Sequence, residues 1–124
     1  MKYLDTNILV RLITNDSPNL TRQAIDWVQS SKTGECMVLD AVLVETCFVL
    51  EFHEYQMKRH DIYQALTAFL DLPQTTCASA SLGALQLFND HPSLDYADCL
   101  LLTLGGKKDI VSFVKALTKV AQTL

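Results

Sequence analysis

A chain of 124 residues, 49% hydrophobic and 19% charged, suits one compact domain spanning 1–124 that buries its core without metal or disulfide staples. Its formal charge of −4 argues against bulk electrostatic attraction to nucleic acid, so any nucleic-acid chemistry would need local basic groups or bound cations. No apolar run approaches the roughly 18 residues of a membrane span and no signal-like segment opens the chain, so the expectation is a soluble, cytoplasmic protein with no membrane role.

Residues 2–4 read as a short first strand running into Asp5-Thr6-Asn7. Ile8, Leu9, Leu12 and Ile13 then give the three-to-four spacing of a helix that stops near Thr14-Asn15-Asp16-Ser17-Pro18. A second helix takes Ala24, Ile25, Trp27 and Val28 as its apolar residues and ends at Ser30-Ser31-Lys32-Thr33-Gly34. Cys36-Met37-Val38-Leu39 is a buried strand, and Asp40 is the expected cap of a helix over 41–54. Glu51, Glu54, Lys58, Arg59 and Asp61 read as solvated charges at a helix junction, and His53 and His60 lack a paired-ligand spacing.

An amphipathic helix with Ile62, Ala65, Leu66, Phe69 and Leu70 as its stripe stops at Asp71-Leu72-Pro73. Thr75-Thr76-Cys77 reads as a short strand, and Ser81 to Phe88 as a helix with Leu82, Leu85 and Phe88 inward. Ser93 is the expected cap of the next helix, which Gly105-Gly106 closes ahead of the basic pair Lys107-Lys108. Ile110-Val111-Ser112-Phe113 reads as a last parallel strand, followed by a short helix or turn and an edge strand at Val120-Ala121-Gln122. Cys36, Cys47, Cys77 and Cys99 show no CxxC pairing and read as reduced core thiols. So apolar a composition also suggests that another subunit covers part of the surface.

Three acids stand out against this background. Asp5 would lie just beyond the carboxyl end of the first strand, where ligands of open α/β sheets collect, although Asp-Thr-Asn is also ordinary helix-cap chemistry. Glu45 is the only charge in Ala41–Leu50, and one turn away it has only Ala41, Val42, Phe48 and Val49. It either faces a wet crevice or helix rim, or meets a cation. Asp98 repeats the pattern among Ala97, Cys99, Leu100 and Leu101, while Asp95 in the same first turn is explained by the helix dipole alone. Strands alternating with helices imply a parallel, helix-covered sheet whose carboxyl edge brings distant residues together. Hard oxygen ligands without His or Cys suit Mg²⁺ or Mn²⁺, and a cation of that kind would let an acidic protein act on RNA.

The segments Tyr3–Arg11, Val42–Leu50 and Leu94–Leu102 resemble the three acidic motifs of PIN-domain ribonucleases, and in length and order the chain is similar to VapC-type toxins of toxin–antitoxin pairs. That resemblance implies a three-layer α/β/α PIN-like domain with a mainly parallel central sheet. It implies Mg²⁺-dependent endoribonuclease activity on structured RNA such as tRNA, a homodimer, and a cognate VapB-like antitoxin that occludes the site. Carried over by position, Asp5, Glu45 and Asp98 are the metal-holding and catalytic acids, Asp95 is an accessory acid, and Thr6 and Asn7 are supporting residues. Ser112-Phe113-Val114-Lys115 resembles the family's last motif, with Ser112 as a supporting residue, but Val114 stands where a fourth acid is usual. A module that binds antitoxin or RNA without turnover is therefore the alternative. A phosphohydrolase with Asp5 as nucleophile lacks its second Asp, because Asn7 stands there.

Overall fold

The computed structural model describes residues 1–106 and 108–124, so half of the Lys107-Lys108 pair, Lys107, lies outside the described residues. The chain divides into two compact units, Met1–Ala78 and Ser79–Leu124. The fold class is the expected one: α/β, with a three-stranded parallel sheet and seven helices among the described residues.

The first unit runs β1 (Lys2–Tyr3), α1 (Thr6–Thr14), α2 (Pro18–Gln29), β2 (Cys36–Val38), α3 (Asp40–Phe52), α4 (Arg59–Leu70) and β3 (Thr75–Cys77). The strands lie in the order β1-β2-β3, with Tyr3 beside Met37 and Val38 beside Cys77. Each strand returns to the sheet through two helices, the crossover that parallel neighbours require. Very short strands suffice because the ladder is extended at its ends: Lys2 N–H donates to Glu35 O at 2.7 Å and Leu4 N–H to Met37 O at 3.0 Å. Thr75 is buried at the start of β3, and its hydroxyl donates to the carbonyls of Phe69 and Leu72 at 3.1 and 2.9 Å, which satisfies a polar group that would otherwise be costly there.

The core of this unit is built by Leu9, Val10, Ala24, Val28, Val38, Leu43, Leu50, Ile62 and Leu66, all buried. Leu43, Thr46, Cys47 and Leu50 form the inner face of α3, the leucines contributing about 1.5–3 kcal/mol for each buried side chain. The outer face departs from expectation. Although α3 is apolar almost all round, Phe48 and Phe52 are exposed, their rings 5.4 Å apart with His53 packed edge-on to Phe48. On α2 the buried stripe is Thr21, Ala24 and Val28, whereas Ile25 and Trp27 face outward. Asp40 is the first helical residue rather than the cap, because Leu39 holds the extended cap conformation with no side-chain bond.

The charges near the α3–α4 junction are not all solvated. Arg59 donates from Nε to Glu51 Oε2 at 2.7 Å and from Nη2 to Oε1 at 3.2 Å, a two-pronged pair whose side chains are only 13% and 17% exposed. Folding buries them because Arg59 opens α4 beside the last turn of α3.

The second unit comprises α5 (Ser81–Asp90), α6 (Tyr96–Gly105) and α7 (Lys115–Ala121). Ser81, Ala84, Leu85 and Phe88 are the inward residues of α5, and Leu82 is exposed. A side chain at Gly83 would meet Thr103 of α6 at 3.3 Å, so these two helices approach closely. Two corrections fall here. Residues 110–113 form no strand: Val111 and Phe113 are fully exposed, and Val114 N–H donates to Ser112 Oγ at 2.9 Å in a local turn leading into α7. Their β-branched and aromatic composition suits a pleated, half-buried surface, but without a neighbouring strand it cannot make one. Residues 120–122 likewise close α7, with Ala121 buried, and form no edge strand.

None of the four cysteines is in a disulfide, with Cys36, Cys47 and Cys99 buried and Cys77 half-buried. Among the described residues no helix is long and apolar enough to cross a membrane.

Candidate active site

Asp5 lies two residues beyond the end of β1 and is the N-cap of α1, with extended backbone and Oδ1 accepting from Ile8 N–H at 3.2 Å. The two sequence readings of this residue are therefore compatible. One oxygen caps the helix, and Oδ2 makes no hydrogen bond with a described residue. Thr6, the first residue of α1, donates its hydroxyl to Glu45 Oε2 at 3.1 Å. The next residue, Asn7, is exposed, and its amide likewise has no described partner.

Glu45 is exposed, in the second turn of α3. Of the alternatives for this lone charge in an apolar helix, the hydrated one holds, and no desolvation penalty needs a cation to offset it. The Thr6 bond joins the starts of α1 and α3, helices that directly follow adjacent parallel strands. A small hydroxyl at position 6 thus ties Glu45 to the residue that follows Asp5. Asp5 and Glu45 offer hard, hydrated oxygens with no soft ligand between them, a donor set that suits Mg²⁺ or Mn²⁺.

In the second unit Asp95, not Ser93, caps α6. Leu94 and Tyr96 are both buried, and these anchors start the helix at Tyr96. Asp98 N–H donates to Asp95 Oδ1 at 2.8 Å, and Asp95 N–H to Asp98 Oδ2 at 3.4 Å, a reciprocal capping box. Asp95 is exposed and Asp98 half-buried. Burial, and next the neighbouring Asp95 carboxylate, push the Asp98 carboxyl above the usual carboxylate range. Ser112 accepts from the Val114 backbone, and Val114 is the half-exposed residue that precedes α7 rather than the end of a strand. Within neither unit do three or more described His, Cys, Asp or Glu side chains gather as a metal-holding set.

Two features escaped sequence reading. Arg11 Nη1 contacts Asp16 Oδ1 and Oδ2 at 2.7 and 2.8 Å, and Tyr55 donates its hydroxyl to Asp16 Oδ2 at 2.5 Å. Tyr55 and then Arg11 hold the Asp16 carboxyl below its ordinary value, and Asp16 raises Arg11 in turn. This cluster ties the end of α1 to the α3–α4 loop, and no spacing announces it because Tyr55 is 39 residues away. The second feature is a hollow around Asp5 lined by Lys2, Tyr3, Leu4, Ile8 and Trp27. Trp27 lay hidden in what reads as an apolar helix stripe.

In open α/β sheets ligands collect beyond the carboxyl ends of the strands, and Asp5 lies just beyond the end of β1. A family model for the PIN domain matches residues 2–114, and the chain belongs to the PIN domain family, whose members are in general nucleases dependent on divalent metal ions. No curated protein and no solved structure matches the chain.

Proposed function

We propose that this PIN domain is an Mg²⁺-dependent endoribonuclease of the VapC toxin type, cutting structured RNA such as tRNA and neutralised by a cognate VapB-like antitoxin. The observation that supports the reading is the Thr6–Glu45 hydrogen bond, which links the residue after Asp5 to the helix that carries Glu45, each helix following one of two adjacent parallel strands. Asp5 and Glu45 are assigned as cation-holding acids, with Thr6 and Asn7 supporting them. Asp98 is assigned as the third acid from motif order, with Asp95 accessory to it and Ser112 supporting the last motif. A divalent cation held by such acids supplies charge compensation and stabilises the negative charge that develops on the phosphate oxygens. The chain's own part is to fix the acids: the Thr6 hydroxyl orients Glu45, and the cap bond to Ile8 fixes the Asp5 rotamer.

The test is cleavage of total RNA with Mg²⁺ or with EDTA. Wild type cuts only with Mg²⁺. Asp5→Asn, which keeps shape and capping ability but removes charge, should lose cleavage by at least about a hundredfold, the scale expected when several kcal/mol of transition-state stabilisation go, while its melting temperature stays close to wild type. Wild-type rates in Asp5→Asn would refute the metal-site assignment. The second reading, a binding module without turnover, draws on Val114 in place of a fourth acid. It predicts antitoxin or RNA binding with no Mg²⁺-dependent cleavage in either protein.

A further inference from the structure

The hollow beside Asp5 has an unusual lining. It holds about 510 Å³, inside the roughly 300–1,000 Å³ of small-ligand sites, and two of its walls are aromatic side chains that folding has left outside the core. Tyr3 is 66% exposed and Trp27 50% exposed, although α2 had an inward stripe available one position away. Trp27 and Ile8 also line an adjoining hollow of about 160 Å³ with Asn7, Arg11, Leu20 and Gln23. Trp27 is thus a ridge between a hollow that contains Asp5 and one that contains two side-chain amides, Asn7 and Gln23, neither of which bonds a described residue.

We propose that this ridge is a nucleobase subsite, in which the Trp27 indole, aided by Tyr3, stacks an unpaired base of an RNA strand whose backbone reaches Asp5. The inference rests on the nuclease reading above and names the part of the RNA that this face holds.

Charge does not favour simple phosphate attraction at this face. Lys2 Nζ contacts Glu35 Oε1 and the Ser31 hydroxyl, both at 3.2 Å, and Arg11 is paired with Asp16, so the two cations that line the hollows are already met by carboxylates. On a chain of net charge −4, affinity for a strand here must come from stacking, which contributes about 1–3 kcal/mol per base and tolerates any base because each has a π-face. Amides at the second hollow match the donor and acceptor edges of a base. An apolar helix of a protein partner would find its complement elsewhere in the unit, in a separate groove lined by Leu12, Ile25, Val28, Phe69, Leu72 and Pro73, which has no charged side chain.

Trp27 is the only tryptophan in the chain, so its fluorescence reads the proposed contact directly. Wild type is titrated in EDTA with single-stranded oligouridylate, with oligoadenylate, and with an abasic ribose-phosphate strand of equal length. Base-bearing strands should quench Trp27 and the abasic strand should not. By anisotropy of the labelled RNA, Trp27→Ala should bind about five- to 150-fold more weakly, the fold-change equivalent of one stacked base. Trp27→Phe should recover most of that loss, and Tyr3→Ala should lose a smaller part. In Mg²⁺ the Trp27→Ala defect should fall more on KM than on kcat. If wild type cuts RNA with Mg²⁺ but Trp27 is not quenched and Trp27→Ala binds as well as wild type, the subsite is wrong while the nuclease reading stands. Equal quenching by the abasic strand would show backbone contact only and overturns base stacking. Unchanged RNA binding by Trp27→Ala together with loss of self-association or of antitoxin binding would make the ridge a protein contact and overturns the proposal. If wild type neither binds nor cuts RNA, both readings fall together.

Discussion

At the scale of single residues, carboxylates in this chain hold backbone and neighbours as well as offering charge. Asp16 is the clearest structural case. Its folded pKa lies below the ordinary value because the Tyr55 hydroxyl and the Arg11 guanidinium favour the charged form. A depressed carboxyl contributes stability that is present above its unfolded pKa and is lost as pH falls through the folded one. Asp16→Asn should therefore lower the melting temperature near neutral pH, and the deficit should shrink towards zero near pH 2, where wild type has lost the same contribution. A deficit of equal size at both pH values would show that shape, not charge, matters at this site. Asp95 offers a second test. Asp95→Ala removes the side-chain acceptor for the Asp98 N–H and half of the capping box, and should cost about 0.5–2 kcal/mol of stability by urea unfolding. Asp95→Asn, still a good cap, should cost less.

At the scale of elements, an ion pair links the last turn of α3 to the first residue of α4. Glu51 and Arg59 are both largely removed from water and bonded twice, so each has exchanged hydration for the other. Removing Glu51 takes away two of the bonds that replaced hydration around the guanidinium. Glu51→Ala is expected to destabilise the fold by about 1–3 kcal/mol, measured by chemical denaturation, whereas replacing both residues by Met should cost less. A single-mutant cost below about 1 kcal/mol would mean that water reaches the guanidinium in solution. The site elements differ in kind. Thr6 and Glu45 are an exposed pair, so Thr6→Val should leave stability nearly intact and reduce only the orientation of the second acid.

For the molecule as a whole, the exposed apolar side chains carry the next expectation. Phe48 and Phe52 on α3, with Leu101 and Leu104 on α6, stand out of the core at half exposure or more. Scattered surface apolar residues are ordinary, but two phenylalanines one helical turn apart, their rings packed at a tilt, form a patch that association would cover. With the toxin reading, a homodimer is the expected state, and co-expression with an antitoxin should yield a heterocomplex. Sedimentation at tens of micromolar should report a dimer, and Phe48→Glu should weaken it. A wild-type monomer under those conditions would show that the patch has another use.

Much of this protein could be read from residue order because the determining interactions are local. Period and turn chemistry located the three strands of the sheet and helices α1 to α6 to within a few residues, since Asp5, Pro18, Asn15 and Gly106 act on the backbone next to them, but left α7 open as a helix or a turn. The order of Asp5, Glu45 and Asp98 carried the resemblance to PIN domains, and the family model that matches residues 2–114 bears out the family. Tertiary structure alone decided what depended on distant partners. Residues 110–113 have strand composition but no neighbouring strand, so Ser112 turns the chain instead. Glu45 is hydrated and Asp98 half-buried although both sit in similarly apolar helices, because burial depends on which face the rest of the fold covers. Arg59 and Glu51, and Tyr55 and Asp16, meet only once helices and loops have been brought together. Trp27, one position from the buried stripe of α2, was left outside by the same packing and brought to line a hollow with Asp5, a juxtaposition that no helical period encodes.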